Sequence, residues 1–171
     1  MLKPEENPPV SHPADKALAD FVGQWWVAHT RSRNEKALAR DILQKDVSYF
    51  LPMSWRVRRH RGRKMRALLP LFSGYLFFCG TERDRLEVLR TNRVATVIDV
   101  VDQSKLVAEL TQIERALGAG AELQPHKYIK AGQPCRVIAG PLADLEGVFV
   151  KSQTRSRLVL KVDMLGQATS V

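Results

Sequence analysis

The feature that most constrains the fold is the way hydrophobic spacing keeps changing along the chain. From Trp25 to Thr30 it repeats every second residue, so Trp25, Val27 and His29 point one way from an extended strand and Trp26, Ala28 and Thr30 the other. Ser32-Arg33-Asn34-Glu35 then has capping-box spacing, and Leu38, Ile42 and Lys45 fall on one helical stripe while Lys36, Arg40 and Gln44 face water. Val47 to Met53 and Trp55 to Arg58 read as extended, interrupted at Pro52, and Lys64 to Leu69 returns antiparallel after a turn at Gly62. Thr81-Glu82-Arg83-Asp84 opens a short helix with Leu86 and Leu89 at helical spacing. Val94 to Val101 is a β-branched run suited to a strand. Ser104 then caps a helix whose stripe is Leu106, Leu110, Ile113 and Leu117, ending at Gly118. Strands and helices in this order fit an α+β fold, an antiparallel sheet flanked by helices.

After Gly118 the pattern changes. Gly118, Gly120 and Pro125 mark a linker, and short apolar strands follow at Cys135–Ile138, Val148–Lys151, Leu158–Val162 and Gln167–Val171. Gly140-Pro141 and Gly147 supply the tight turns of a small β-barrel. The expected organisation is a flexible arm over 1–22, with Pro4, Pro8 and Pro9 and a short helix from Pro13 to Phe21, a first domain over 23–118, a linker over 119–129 and a barrel over 130–171.

The 171 residues carry a formal charge of +9, which favours a polyanionic partner, nucleic acid before an acidic membrane surface. Much of that charge lies in the expected hairpin, where Arg56, Arg58, Arg59, Arg61, Arg63, Lys64 and Arg66 are accompanied by no acidic residue. Such a run is either a solvated surface or a basic finger on phosphates, and Gly62 lets its tip approach a partner closely or enter a minor groove. No segment has the roughly 20 apolar residues of a membrane span, and the start lacks the apolar core of a signal peptide, so an intracellular protein without membrane association is expected. Cys79 and Cys135 belong to no Cys-x-x-Cys motif and read as reduced thiols. The histidines are scattered, no nucleophile cluster is suggested by spacing, and there is no Gly-rich phosphate loop. The expectation is a binding protein, with no enzymatic activity, metal or cofactor.

Pro70-Leu71-Phe72-Ser73-Gly74-Tyr75-Leu76-Phe77-Phe78 is the densest aromatic stretch, and its rings are too crowded for all of them to enter one small core. Together with Trp25-Trp26-Val27 it resembles the N-terminal signature of the NusG family of transcription elongation factors, which includes specialised RfaH-like paralogues. Val137 to Val148 is similar to a KOW motif, and the two signatures occur in the family's order. The resemblance implies an N-terminal α+β domain that docks on the clamp helices of RNA polymerase, and a C-terminal SH3-like KOW barrel. It puts His29, Phe72, Tyr75 and Phe77 in the polymerase-binding patch, although Phe72 and Phe77 also suit a plain core. It brings the basic hairpin near upstream or non-template DNA, where it helps suppress pausing. Leu145, Met164 and Leu165 fall where relatives contact a ribosomal protein or Rho; the alternative is that they only close the barrel's ends. The implied protein is a cytoplasmic monomer acting in elongation, antitermination or termination. The competing reading is a KOW-containing, RNA-binding protein associated with the ribosome or translation.

Overall fold

The computed structural model describes residues 6–60, 62–126, 132–151 and 156–171, and divides between Gln103 and Ser104 into two compact units.

The first unit is built on an antiparallel sheet. Its strands are β1 (Ser11–His12), β2 (Gln24–Thr30), β3 (Ser48–Phe50), then a hairpin of β4 (Met53–His60) and β5 (Arg63–Pro70), then β6 (Tyr75–Gly80) and β7 (Val94–Asp99). The sheet order is β1-β3-β6-β2-β7, and β4 and β5 form a separate two-stranded ribbon. Alternation in β2 sets the layers: Trp26 and Ala28 lie opposite Phe78 and Leu76 of β6 and join a buried cluster with Tyr49. Onto that face pack Leu38, Ala39 and Ile42 of α1 (Glu35–Leu43) and Val88 of α2 (Glu82–Arg90). The other face carries Trp25, Val27 and His29, paired with Cys79, Phe77 and Tyr75. The expected helical layering is therefore present, with α1 and α2 on one face.

Several local expectations change in three dimensions. The capping box at α2 forms, Thr81 N–H donating to Asp84 Oδ2 at 2.7 Å and Asp84 N–H to Thr81 Oγ1 at 3.4 Å. The one expected at α1 does not: the helix begins at Glu35 with Asn34 rather than Ser32 at the N-cap, and the Asn34 side-chain oxygen accepts from Arg93 at 3.1 Å instead of capping the helix. Lys36 is not a wet residue but donates to the Leu68 carbonyl and to Asn7 Oδ1, both at 2.5 Å. Burial holds its pKa below the usual lysine range, the Arg40 charge adds to that, and Glu35 opposes it. In α2 the buried position is Val88, and Leu86 and Leu89 remain exposed.

In the segment expected to be a flexible arm, Pro9 to His12 are bonded to the sheet. β1 pairs with β3, Tyr49 Oη donates to the Pro9 carbonyl at 3.0 Å, and Leu51 N–H donates to the Val10 carbonyl at 2.7 Å. Prolines prevent a helix there but leave carbonyl acceptors free for these bonds. The helix expected from Pro13 shrinks to one 3-10 turn, Leu18–Asp20, with Leu18 fully buried.

The second unit contains most of α3 (Gln103–Gly118) and strands β8 (Gln124–His126), β9 (Gln133–Arg136), β10 (Glu146–Lys151), β11 (Ser156–Val162) and β12 (Gln167–Ser170). They form an antiparallel five-stranded sheet in the order β8-β12-β11-β10-β9, the small barrel-like unit expected from the short strands. Part of the stretch read as linker is thus a strand: β8 pairs with β12, and Thr169 Oγ1 donates to the Gln124 carbonyl at 2.8 Å. The rest of the expected linker, and its boundary with the barrel, include residues 127–131, outside the described residues. Val148, Val159 and Ala168 form the barrel core. Gly147 is needed where β10 crosses β11, since a Cβ there meets the Val159 carbonyl oxygen at 2.6 Å.

Candidate docking and nucleic-acid interfaces

The turn before β6 is Phe72-Ser73-Gly74-Tyr75, closed by Tyr75 N–H donating to the Phe72 carbonyl at 3.1 Å. Gly74 takes φ +86, a left-handed conformation that favours glycine. Its N–H donates to Glu35 Oε1 at 2.6 Å and its carbonyl accepts from Thr30 N–H at 2.8 Å. Glu35 is buried at the first helical position of α1, where a carboxylate is favoured by the helix N-terminus. The turn is therefore held by both α1 and β2.

Of the four residues assigned to the docking patch, the structure separates two from two. Phe72 and Phe77 are 1% and 0% exposed, edge-on to each other with ring centroids 6.0 Å apart, and Phe77 also touches Phe50. His29 and Tyr75 are half-buried, directly opposed across β2 and β6, with rings stacked at 5.1 Å. Register adds exposed Thr96 beside His29 and half-buried Ile98 beside Val27, so β7, β2 and β6 present one row on this face. Of the four rings of the aromatic motif, Phe72, Phe77 and Phe78 are thus buried and Tyr75 is half-exposed, stacked on His29 of β2. Near the far end of β6, Cys79 is buried; burial, reinforced by Asp84, raises its thiol to about 11, which favours the protonated thiol at neutral pH.

The basic hairpin forms as expected. β4 pairs with β5 from Met53↔Pro70 to His60↔Arg63, and the turn at Gly62 has φ +77 in open space. Arg59, Arg63, Lys64 and Arg66 are exposed. Arg56 is half-buried, and its guanidinium donates to the Pro70 carbonyl at 2.9 Å across the base of the hairpin. Arg58 lies within β4, its side chain not described, and Arg61 lies outside the described residues.

In the second unit Leu145 is buried, Leu165 half-buried and Met164 39% exposed. Val137 N–H donates to the Leu145 carbonyl at 2.9 Å and Asp144 N–H to the Val137 carbonyl at 2.8 Å, which closes the loop between β9 and β10 and turns Leu145 inward. Met164 and Leu165 lie on a 3-10 turn after β11. That turn is bonded to α3, Asp163 N–H donating to Glu109 Oε2 at 3.2 Å and Lys105 pairing with Asp163 at 2.8 Å.

Among the described residues no cluster of His, Cys, Asp and Glu could hold a metal ion, and no helix is long and apolar enough to cross a membrane. The two units define a class: one is an α+β domain with an exposed basic ribbon, the other a small barrel-like sheet. The family model "Transcription termination factor nusG" matches residues 23–119, more than half of the chain, and the chain belongs to the NusG family. It is similar to the transcription termination/antitermination protein NusG of Rickettsia prowazekii (strain Madrid E), 26% identical over 170 residues, 91% of this chain and 88% of that one. The corresponding NusG of Rickettsia typhi (strain ATCC VR-144 / Wilmington) is 25% identical over the same shares.

Two residues of these surfaces escape a reading of the sequence alone. Glu35 sits three positions after Ser32 and looks like a capping partner, yet it supports the Gly74 turn across the fold. Trp55 is hidden by the arginines around it, although the alternation Trp55, Val57, Arg59 already places it on one face of the ribbon.

Proposed function

We propose that this chain is a transcription elongation and antitermination factor with an N-terminal module over residues 23–118 and a KOW module over residues 130–171. The first binds the clamp helices of RNA polymerase through the half-exposed His29–Tyr75 row, with buried Phe77 next to Tyr75 on the same face and Phe72 packed against it. Helix docking requires an apolar, shaped face, and paired rings above a packed layer supply one. The basic hairpin lies along upstream or non-template DNA, and the bridge so made suppresses pausing. The KOW module recruits a ribosomal protein or Rho through Met164 and Leu165.

The observation that carries this reading is the family match over residues 23–119, which spans both the row and the hairpin. It is tested by single-round transcription with purified RNA polymerase on a template with a defined pause, with and without Rho. Shortened pauses, or altered Rho-dependent release, are expected on adding the protein. Identical product patterns with and without it, at concentrations saturating for binding, contradict the proposal.

A further inference from the structure

Lys36 of α1 is half-buried, and its ammonium joins two segments distant in sequence: it donates to Asn7 Oδ1 and to the Leu68 carbonyl of β5, both at 2.5 Å. Among the described residues no carboxylate makes an ion pair with it. The Glu35 carboxylate beside it bonds the Gly74 N–H, and the Arg40 charge, one turn on, opposes it. A lysine needed only for solubility extends its ammonium into water over an apolar stem, and a methionine fills a half-buried position without desolvating a charge. What distinguishes Lys36 is the pair of acceptors it bridges. The first belongs to the N-terminal segment, where the Glu6 carbonyl accepts from Arg40 Nη1 at 3.1 Å, Pro8 is buried, and Pro9 to His12 bond to the sheet. The second belongs to the ribbon, where Leu68 opposes Trp55 and packs on the buried cluster that includes Leu38 of α1. β4 and β5 share no strand pairing with the main sheet, so a few bonds at the base set the angle at which the ribbon leaves it. The Arg56 bond to the Pro70 carbonyl, and Leu71 N–H donating to the Pro52 carbonyl at 2.8 Å, close the base on itself. The Lys36 bond reaches it from another element.

We propose that Lys36 is a positioning residue for the basic hairpin, and that residues 6–12 are a strap which, through Asn7, holds Lys36 on the Leu68 carbonyl and so fixes the direction in which the hairpin projects. For its effect on transcription the inference rests on the DNA-facing reading of the hairpin, and it adds what aims that hairpin. With strap and lysine in place the ribbon leaves the sheet at one angle. Without them it swings about its base, where Pro52 and Leu71 are joined. The hairpin keeps its full charge in either state, so what changes is where the arginines fall and not how strongly each attracts a phosphate.

The test measures spin-label distances in the full chain between exposed positions on the hairpin and on α2, Lys64→Cys and Arg83→Cys, in a Cys135→Ser background that leaves buried Cys79 in place. Without further substitution one narrow distribution is expected. Lys36→Met should broaden it about twofold with the unfolding midpoint nearly unchanged, Asn7→Ala should broaden it less, and Lys36→Arg, which keeps donors for both acceptors, should restore it. In single-round transcription with the unlabelled chains, Lys36→Met should lose most of the pause shortening and Lys36→Arg should keep it. A distribution in Lys36→Met as narrow as in its absence overturns the proposal, and so does a broadening matched by a fall in unfolding midpoint, which is loss of structure and not of aim. If Asn7→Ala changes nothing, the strap is overturned and the role of Lys36 stands. If wild-type protein alters no pause, the DNA-facing reading fails while the distances still decide the positioning. If wild type shortens pauses and a broadened Lys36→Met does so equally, that reading stands and the aiming role is overturned.

Discussion

The turn before β6 and the hairpin before it are near neighbours in sequence but are held in contrasting ways. The turn is bonded by Glu35 and Thr30 through Gly74, and its Phe72 packs against Phe77. The hairpin is a two-stranded ribbon outside the main sheet, tied at its base by Lys36 and Arg56 and exposed at Val57, Arg59, Arg63, Lys64 and Arg66. Isolated ribbons of this kind are marginally stable, so the hairpin depends on the sheet for its placement. The difference separates a turn bonded on two sides from a ribbon held at its base, an arrangement that suits the proposed docking of a shaped helix on the first and of a flexible polyanion on the second.

The sharpest way to break the comparison is to remove the support. Phe77→Ala empties a fully buried site next to Phe50 and Phe72, and should destabilise the first unit by about 3–5 kcal/mol in chemical denaturation. Trp55→Ala, at an exposed position, should change stability by no more than about 0.5 kcal/mol in the same experiment. Glu35→Ala is next in size. It leaves the Gly74 N–H without its acceptor and should cost about 1–3 kcal/mol, with Glu35→Gln recovering part, since an amide oxygen can still accept.

On the hairpin the expected signature is electrostatic. Replacing Arg59 and Lys64 by Ser should leave the unfolding midpoint unchanged and lower the slope of log affinity against log salt for single-stranded DNA by about 0.7 for each phosphate no longer neutralised.

The smallest effect extends the contrast between buried and exposed groups to the second unit. Burial raises the Glu109 carboxyl to about 7, while its bond from Asp163 N–H works the other way. A carboxyl whose folded pKa lies above its unfolded value of about 4.3 contributes its full stability below that value and loses it as pH rises through about 7. Glu109→Gln should therefore be more stable than wild type at about pH 8, by on the order of 1 kcal/mol for a half-buried group, and should match it near pH 4. Thermal unfolding at the two pH values checks this.

Much of the fold is legible in the sequence because its periodicities are local. The alternation of Trp25 to Thr30, the Leu38–Ile42 stripe, the Gly62 turn and the strands at Val148–Lys151, Leu158–Val162 and Gln167–Ser170 form where expected, whereas the strand expected at Cys135–Ile138 runs from Gln133 to Arg136 and leaves Ile138 exposed. What periodicity misses is decided by distant partners. Pro8 to His12 carries no strong strand signal but has carbonyls and an edge within reach of β3, and Gln124–His126 becomes a strand only because β12 lies open beside it. The candidate surfaces follow the same rule. Too many rings in one stretch signals that some must leave the core, but only the register reveals that Tyr75 does so beside His29 while Phe72 and Phe77 stay inside. Leu145 turns inward because its loop closes on Val137, a pairing eight residues apart that no stripe announces.

The central proposal is that the His29–Tyr75 row, beside the buried Phe77 on the same face of the sheet, is where this NusG-family chain meets RNA polymerase. Its most direct test is biolayer interferometry of purified polymerase against wild-type protein and Tyr75→Ala, with thermal unfolding measured in parallel. The account predicts an affinity loss of at least about thirtyfold, the scale of an interface hot spot, with the unfolding midpoint nearly unchanged. A folded Tyr75→Ala that binds polymerase as tightly as wild type contradicts it.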